Sequence, residues 1–168
     1  MNLKEELLKE HSLIQAKKIS LWAVESKSNL KQLMSAFFGN EKLVVQRASW
    51  SASKAHELKP DWFDSYIPQL IRCLEKPIHG SVRRNSLRML QTMDIPESLR
   101  GELIDILFPL LMDSKTESAV KAFGMSVAEN MTRHYPELKN ELKIIIEDQL
   151  PYATPSFKSR AKKIIKKL

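Results

Sequence analysis

The chain has 168 residues, 43% of them hydrophobic, and a net charge of +7, enough apolar material to pack one domain or one short repeat array. Four glycines and a single cysteine, Cys73, argue against a glycine-rich phosphate loop, an internal disulfide and a cysteine zinc cluster. No apolar run is long enough to span a bilayer, and the N-terminus carries acids where a signal peptide would be basic and then apolar. We therefore expect a cytoplasmic protein.

Helical periodicity runs through the chain, and no stretch alternates as a strand would. In chain order, the spacing predicts five helix pairs, over 2–10 and 11–24, 28–38 and 41–55, 61–76 and 79–93, 97–113 and 117–134, and 137–149 and 155–168. Pro60, Pro96 and Pro136 stand just ahead of predicted helices, where a missing N–H is tolerated. Asp94 and Glu97 flank Pro96 at the spacing of a capping box.

A short pattern recurs in the second helix of each pair: an apolar or small residue, often two basic residues, and a small residue one turn later. It begins at Ala16, Val45, Val82, Val120 and Phe157, and the last three intervals are 37, 38 and 37 residues. Such a period is typical of helical repeats. We predict one domain with units near 1–27, 28–59, 60–95, 96–135 and 136–168. The register predicts that these residues are buried: Val82, Ser86, Leu90, Val120 and Gly124.

The central units resemble HEAT repeats. Residues 67–77 contain Pro68 and are followed, after a short turn, by Val82, Arg83 and small residues; residues 107–113, followed by Val120, match more loosely. The resemblance to the HEAT/armadillo-type family implies an all-α fold. It implies a right-handed α-α superhelix, a HEAT-like solenoid of four to five antiparallel helix pairs, with the second helices lining its concave side.

Charge segregates between the two helices of each pair, because the first helices sum to a negative charge and the second helices to a positive one. Positions two, six and nine after the start of each pattern are expected to point away from the core. This face carries the candidate basic stripe: Lys18, Trp22, Arg47, Lys54, Arg84, Arg88, Lys163 and Lys166. A basic stripe predicts binding of an acidic protein or peptide, or of the nucleic-acid phosphate backbone. The alternative is a solvated helix face without a ligand.

Signs of catalysis are weak, and we predict no catalytic residue, no cofactor and no metal site. No histidine stands at a metal-ligand spacing from another ligand, and Cys73 lies among apolar residues, as a core side chain would. HEAT-like DNA-alkylation-repair glycosylases, a distant resemblance, use a basic concave groove with tryptophans. Here buried anchoring is favoured for Trp50 and Trp62. The sequence favours a non-enzymatic binding scaffold, with a nucleic-acid-binding protein related to alkylation repair as the alternative.

Overall fold

The computed structural model describes residues 1–77 and 79–168, and within them the chain is helical with no strand. The α-helices are α1 (Leu3–Lys9), α2 (Leu13–Ala23), α3 (Lys27–Phe37), α4 (Lys42–Leu58), α5 (Ile67–Arg72), α6 (Gly80–Leu90), α7 (Glu97–Met112), α8 (Ser118–Thr132), α9 (Leu138–Gln149) and α10 (Pro155–Ile165). Two 3₁₀ segments, Pro60–Tyr66 and Leu150–Tyr152, complete them. Contacts group the chain into two compact units, Met1–Met89 and Leu90–Leu168. The division into five repeat units remains a prediction.

Short polar side chains define where several helices begin. Asn2, Ser12, Ser26 and Thr154 are the N-cap residues of α1, α2, α3 and α10, and each side chain accepts a hydrogen bond from the backbone N–H three residues later. These bonds satisfy amides that have no partner within the helix. The starts of these four helices therefore follow directly from local sequence.

The predicted capping box at the start of α7 is wrong. Pro96 itself is the N-cap residue, no side chain caps this helix, and Asp94 is exposed. Between them, Ile95 is 2% exposed, and its carbonyl accepts a hydrogen bond from Arg100 Nε at 2.9 Å. Because Ile95 is buried in the core and Pro96 is extended, the helix begins too late for Asp94 to reach its first amides.

The helix predicted over 61–76 is divided in two. A 3₁₀ segment covers Pro60–Tyr66, and the short helix α5 ends already at Arg72. Pro68 explains the division, because a proline in a helix interior removes one hydrogen bond and clashes with the carbonyl four residues earlier. With a new helix starting at Ile67, Pro68 occupies one of its first two positions, where its missing N–H is tolerated.

Helix α4 forms the centre of the first unit. It packs against α1, α2, α3 and the Pro60–Tyr66 segment. Ala48, Ala52 and Ala55 are fully buried along α4, and such small side chains let neighbouring helices approach closely. In the second unit α8 has the same role, with α7, α9 and α10 packed around it.

The burial predicted from the repeat register is confirmed. Val82 and Val120 are 4% and 2% exposed, Ser86 and Leu90 are no more than 1% exposed, and Gly124 is buried. The small residues therefore lie on the packed side of α6 and α8. In the part of the chain that the structure describes, no helix combines the length and the apolar character that crossing a membrane requires.

Candidate functional site

The first basic side chain of the predicted stripe, Lys18, forms an ion pair within the protein. Lys18 is exposed, and its Nζ lies 2.7 Å from Glu6 Oε2. Hydrogen bonds from Lys18 and then Gln15 hold the pKa of Glu6 below its ordinary value. Trp22, the aromatic member of the stripe, is half-buried on α2. At this end of the stripe the positive charge is therefore balanced by a carboxylate on α1.

Arg47 joins helices rather than facing solvent. It is half-buried, and its Nη1 donates to the carbonyl of Leu7 at 2.8 Å, near the end of α1 where carbonyls lack partners within the helix. Ser51, one turn further along the same face, is 1% exposed. The expectation that this whole face of α4 points away from the core is wrong, because α1 and α2 pack against α4.

Lys54 and Arg88 share one carboxylate. Lys54 Nζ and Arg88 Nη2 each lie 2.8 Å from a different oxygen of Glu57, so an ion-pair triad ties α4 to α6. Burial opposes ionisation of Glu57, but the hydrogen bonds and charges of Lys54 and Arg88 outweigh it and lower the pKa of Glu57. The two cations are paired at short range with this one carboxylate, so the triad keeps one net positive charge.

Arg84 differs from its neighbour Arg83. Arg83 donates from Nε to the carbonyl of Leu74 and from Nη2 to that of Glu75, both at 2.6 Å, which secures the turn after α5. Arg84 is exposed and forms no ion pair with any residue in 1–77 or 79–168. Of the stripe's basic residues in the first unit, Arg47 and Arg84 form no ion pair among the described residues, and Arg84 is the exposed one of the two.

In the second unit the exposed positive charge is concentrated on α10. Phe157, Ala161 and Ile164 bury one side of this helix. Its opposite side, together with the C-cap residue Lys166, forms what we call the α10 lysine face: Lys158, Lys162, Lys163 and Lys166, all exposed and without an ion pair among the described residues. Three of the four follow one another at intervals of four residues and so lie in a line along the helix.

Two other cations near α10 hold this helix in place. Arg160 Nη1 donates to Ser126 Oγ at 2.8 Å and to Gln91 Oε1 at 3.3 Å. Lys167 Nζ lies 3.6 Å from Glu129 Oε2, a carboxylate that also pairs with Arg133. The basic residues of α10 thus divide into those that dock the helix and those of the α10 lysine face.

Comparison with known proteins identifies the family of this chain. A family model described as a HEAT repeat domain matches residues 3–168. The chain belongs to the HEAT repeat family. Together with the helical structure, this match confirms the predicted fold class, an all-α α-α solenoid. No curated protein and no solved structure matches the chain.

The tryptophans of this HEAT chain are less buried than the sequence predicted. Trp50 is half-buried and meets the ring of His11 edge-on, with 5.3 Å between ring centroids. Trp62 lies on the 3₁₀ segment and is also half-buried, with Lys27 Nζ 4.4 Å from its ring centroid. Because both rings are half-buried and contact exposed side chains, the expectation of buried anchors is met only in part.

Cys73 has the surroundings of an unreactive thiol. Its Sγ lies 3.1 Å from the carbonyl oxygen of Leu70 and 3.2 Å from Ser86 Oγ. Burial raises the pKa of Cys73 to about 11, although the contact with Ser86 acts in the opposite direction. The thiolate is the nucleophilic form of cysteine, so this side chain is poorly suited to covalent catalysis at neutral pH.

Sequence reasoning missed Lys121. This side chain is only 8% exposed, and its Nζ donates to Gln149 Oε1 beside a cavity of about 400 Å³. Burial lowers the pKa of Lys121, and the charge of Asp113 opposes that shift. The sequence does contain a hint of this burial. Lys121 directly follows Val120, which was predicted to be buried on the packed side of α8, so a fully solvated lysine is not expected there. Elsewhere among residues 1–77 and 79–168, no three metal-ligand side chains converge on one point.

Proposed function

We propose that this HEAT domain is a non-enzymatic binding scaffold for an acidic protein or peptide segment, and that the α10 lysine face contacts this segment. One observation supports the proposal. Lys18, Lys54 and Arg88 are paired with carboxylates of the protein, whereas the four exposed lysines of α10 have no such partner among the described residues. Helical-repeat proteins commonly present extended binding surfaces.

The spacing of these lysines causes repulsion between their positive charges. Lys158, Lys162 and Lys166 are spaced about 6 Å apart along the helix axis. Like charges at this spacing destabilise a helix by a few tenths of a kcal/mol per pair, about 0.2–0.5. Carboxylates of a bound partner remove this repulsion, and opposite charges also accelerate encounter.

The extent of the α10 lysine face sets the salt dependence expected if its partner is a nucleic acid. The helix has 11 residues, a length of about 16 Å. Four lysines neutralise at most about four phosphates, for which the logarithm of the DNA affinity falls with the logarithm of salt concentration at a slope of about −3.6. Binding to DNA is the alternative function, and a salt titration separates the two.

The test compares two double variants of the full chain that carry the same change in net charge on the same unit. Lys162→Glu/Lys166→Glu reverses the α10 lysine face, and Lys115→Glu/Lys143→Glu reverses exposed lysines elsewhere. Binding of a labelled poly-glutamate peptide is measured by fluorescence anisotropy. We expect about tenfold weaker binding for the first variant and less than about twofold for the control, because the control leaves the binding face intact.

Three outcomes contradict the proposal. Equal losses in the two variants mean that only overall charge matters. Absence of peptide binding at low salt removes the proposed partner. Binding of duplex DNA without binding of poly-glutamate, with the steep salt dependence given above, replaces the proposal with the nucleic-acid alternative.

A further inference from the structure

The second unit contains a cavity of about 400 Å³. Its walls come from the start of α8, the end of α9, the Leu150–Tyr152 segment and the start of α10. This volume lies within the range of about 300–1,000 Å³ that is usual for small-molecule sites. The cavity lies apart from the α10 lysine face, since none of those four lysines lines it.

A buried lysine provides the charge in this cavity. Lys121 Nζ donates to Gln149 Oε1 at 2.5 Å and forms no ion pair within the described residues. The amide group of Gln149 is itself held, because its Nε2 donates to the carbonyls of Leu111 and Ile145, both at 3.0 Å. An ammonium group has three donors, so one neutral acceptor leaves most of its hydrogen-bonding capacity unused, and the nearby charge of Asp113 acts on it without forming an ion pair.

Residues with hydroxyl groups line the same space. Thr116 Oγ1 is buried without a hydrogen-bond partner, and the hydroxyls of Ser118 and Thr154 contact each other at 2.5 Å. Helix α8 begins at Ser118, and its N-cap residue Glu117 makes no side-chain cap. The first amides of a helix lack partners within it and favour a negative group. The unsatisfied donors of this cavity thus point to one kind of ligand.

We propose that this cavity binds a small organic anion whose carboxylate or phosphate group is held by the ammonium of Lys121 and the hydroxyl of Thr116. Burying an unpaired charge is unfavourable unless an opposite charge or several hydrogen bonds compensate for it. The anionic group supplies both. The body of the ligand lies toward Tyr152 and Met112, which also line the cavity and are 93% and 55% exposed.

Asp148 limits where the anionic group is held. This exposed carboxylate also lines the cavity, and it repels a second negative charge. The ligand's anionic group therefore lies beside Lys121, away from Asp148. It follows that Asp148→Asn strengthens anion binding, by about twofold to fivefold, as expected when one exposed like charge is removed.

The test is a titration of the full chain followed by ¹H–¹⁵N NMR. The probes are inorganic phosphate, phenyl phosphate and benzoate, with benzamide as the neutral control. We expect phenyl phosphate or benzoate to shift the signals of the Ser118 backbone amide and the Gln149 side-chain amide, with a dissociation constant below about 10 mM. The tighter of the two identifies the preferred anionic group. Benzamide leaves these signals unchanged.

Variants locate the site and separate it from the α10 lysine face. Lys121→Met keeps a side chain of similar length without the charge and raises the dissociation constant at least about tenfold. Thr116→Val, which removes only the hydroxyl, weakens binding to a smaller degree. It provides the test of the site if the Lys121→Met protein does not fold. Tyr152→Ala weakens binding of phenyl phosphate but not of inorganic phosphate. Lys162→Glu/Lys166→Glu leaves binding of all three anions unchanged.

Three results overturn the proposal. The first is the absence of shifts with every anion at about 10 mM. The second is unaltered binding by folded Lys121→Met and Thr116→Val proteins. The third is a set of shifts confined to the α10 lysine face, which assigns the anion to surface lysines instead.

Discussion

His56 is a buried titratable group that links stability to pH. It is 5% exposed on α4, its Nε2 has no hydrogen-bond partner, and its ring meets Phe63 edge-on with 5.2 Å between centroids. Burial lowers the pKa of His56 from 6.5, although Glu57 and Asp64 oppose the shift. The unfolded chain therefore binds a proton at higher pH than the folded protein. The resulting stabilisation is complete above pH 6.5 and is lost as pH falls through the folded pKa.

We predict that His56→Phe removes this component of the pH dependence. The measurement is the free energy of unfolding in urea between pH 7.5 and about pH 5, above the range where Glu6 and Glu57 lose their stabilisation. His134→Phe is the control, because His134 is exposed. An unchanged slope in the His56 variant, or an equal change in the control, contradicts the role given to His56.

At the scale of elements, α6 is held to its neighbours by small and polar side chains. Ser86 is fully buried beside Cys73, and Asn85 Nδ2 donates to Ser49 Oγ on α4 at 3.0 Å. Ser49 Oγ also lies 3.1 Å from Ser81 Oγ. Close approach of these helices depends on side chains of this size, since a larger one has no space to enter.

Substitution of a small residue at this contact gives a direct test. We predict that Ser86→Trp destabilises the protein by about 1–3 kcal/mol or more, because overpacking forces side chains and backbone apart. Arg84→Trp places the same side chain two residues away at an exposed position and changes stability by less than about 0.5 kcal/mol. Urea unfolding measures both. Equal stability of the two variants means that Ser86 does not lie at a tight contact.

At the scale of the whole molecule, α10 covers α8 in the second unit. Phe157, Ala161 and Ile164 are each no more than 3% exposed, and α10 packs chiefly on α8. Each helical repeat buries its apolar sides only against its neighbours. Loss of α10 therefore exposes an apolar side of α8 to water.

We predict that deletion of residues 155–168 strongly destabilises the second unit. Phe157 and Ile164 contribute about 1.5–3 kcal/mol each through burial. Deletion of residues 166–168 alone retains these contacts and the Arg160 hydrogen bonds, and it removes the Lys167–Glu129 pair while Glu129 keeps its pair with Arg133. Thermal unfolding followed by circular dichroism compares the two. Similar melting temperatures contradict the covering role of α10.

Much of the fold could be predicted from local sequence. The apolar spacing predicted a helical chain, and the small residues Ser86 and Gly124 marked the packed sides of α6 and α8, because helical periodicity is a property of neighbouring residues. The prediction of helix boundaries was wrong at one proline. Pro68 was interpreted as part of a continuous helix. In the structure a 3₁₀ segment ends at Tyr66 and a new helix begins at Ile67, so Pro68 lies in the first turn of that helix, where its missing N–H is tolerated.

The candidate site could be predicted only in part, because the state of a charged side chain depends on partners that are distant in sequence. Arg47, Arg84 and Arg88 were all predicted to lie on the same outward face of the second helices. Only the packing of helices brings Arg47 to the carbonyl of Leu7, 40 residues away, and Arg88 to Glu57, 31 residues away, while Arg84 stays exposed. Lys121 is buried by the same packing. The sequence by itself determined the helices and their buried sides, through periodicity, and the tertiary structure alone decided which charges are neutralised and which remain exposed, through contacts between helices.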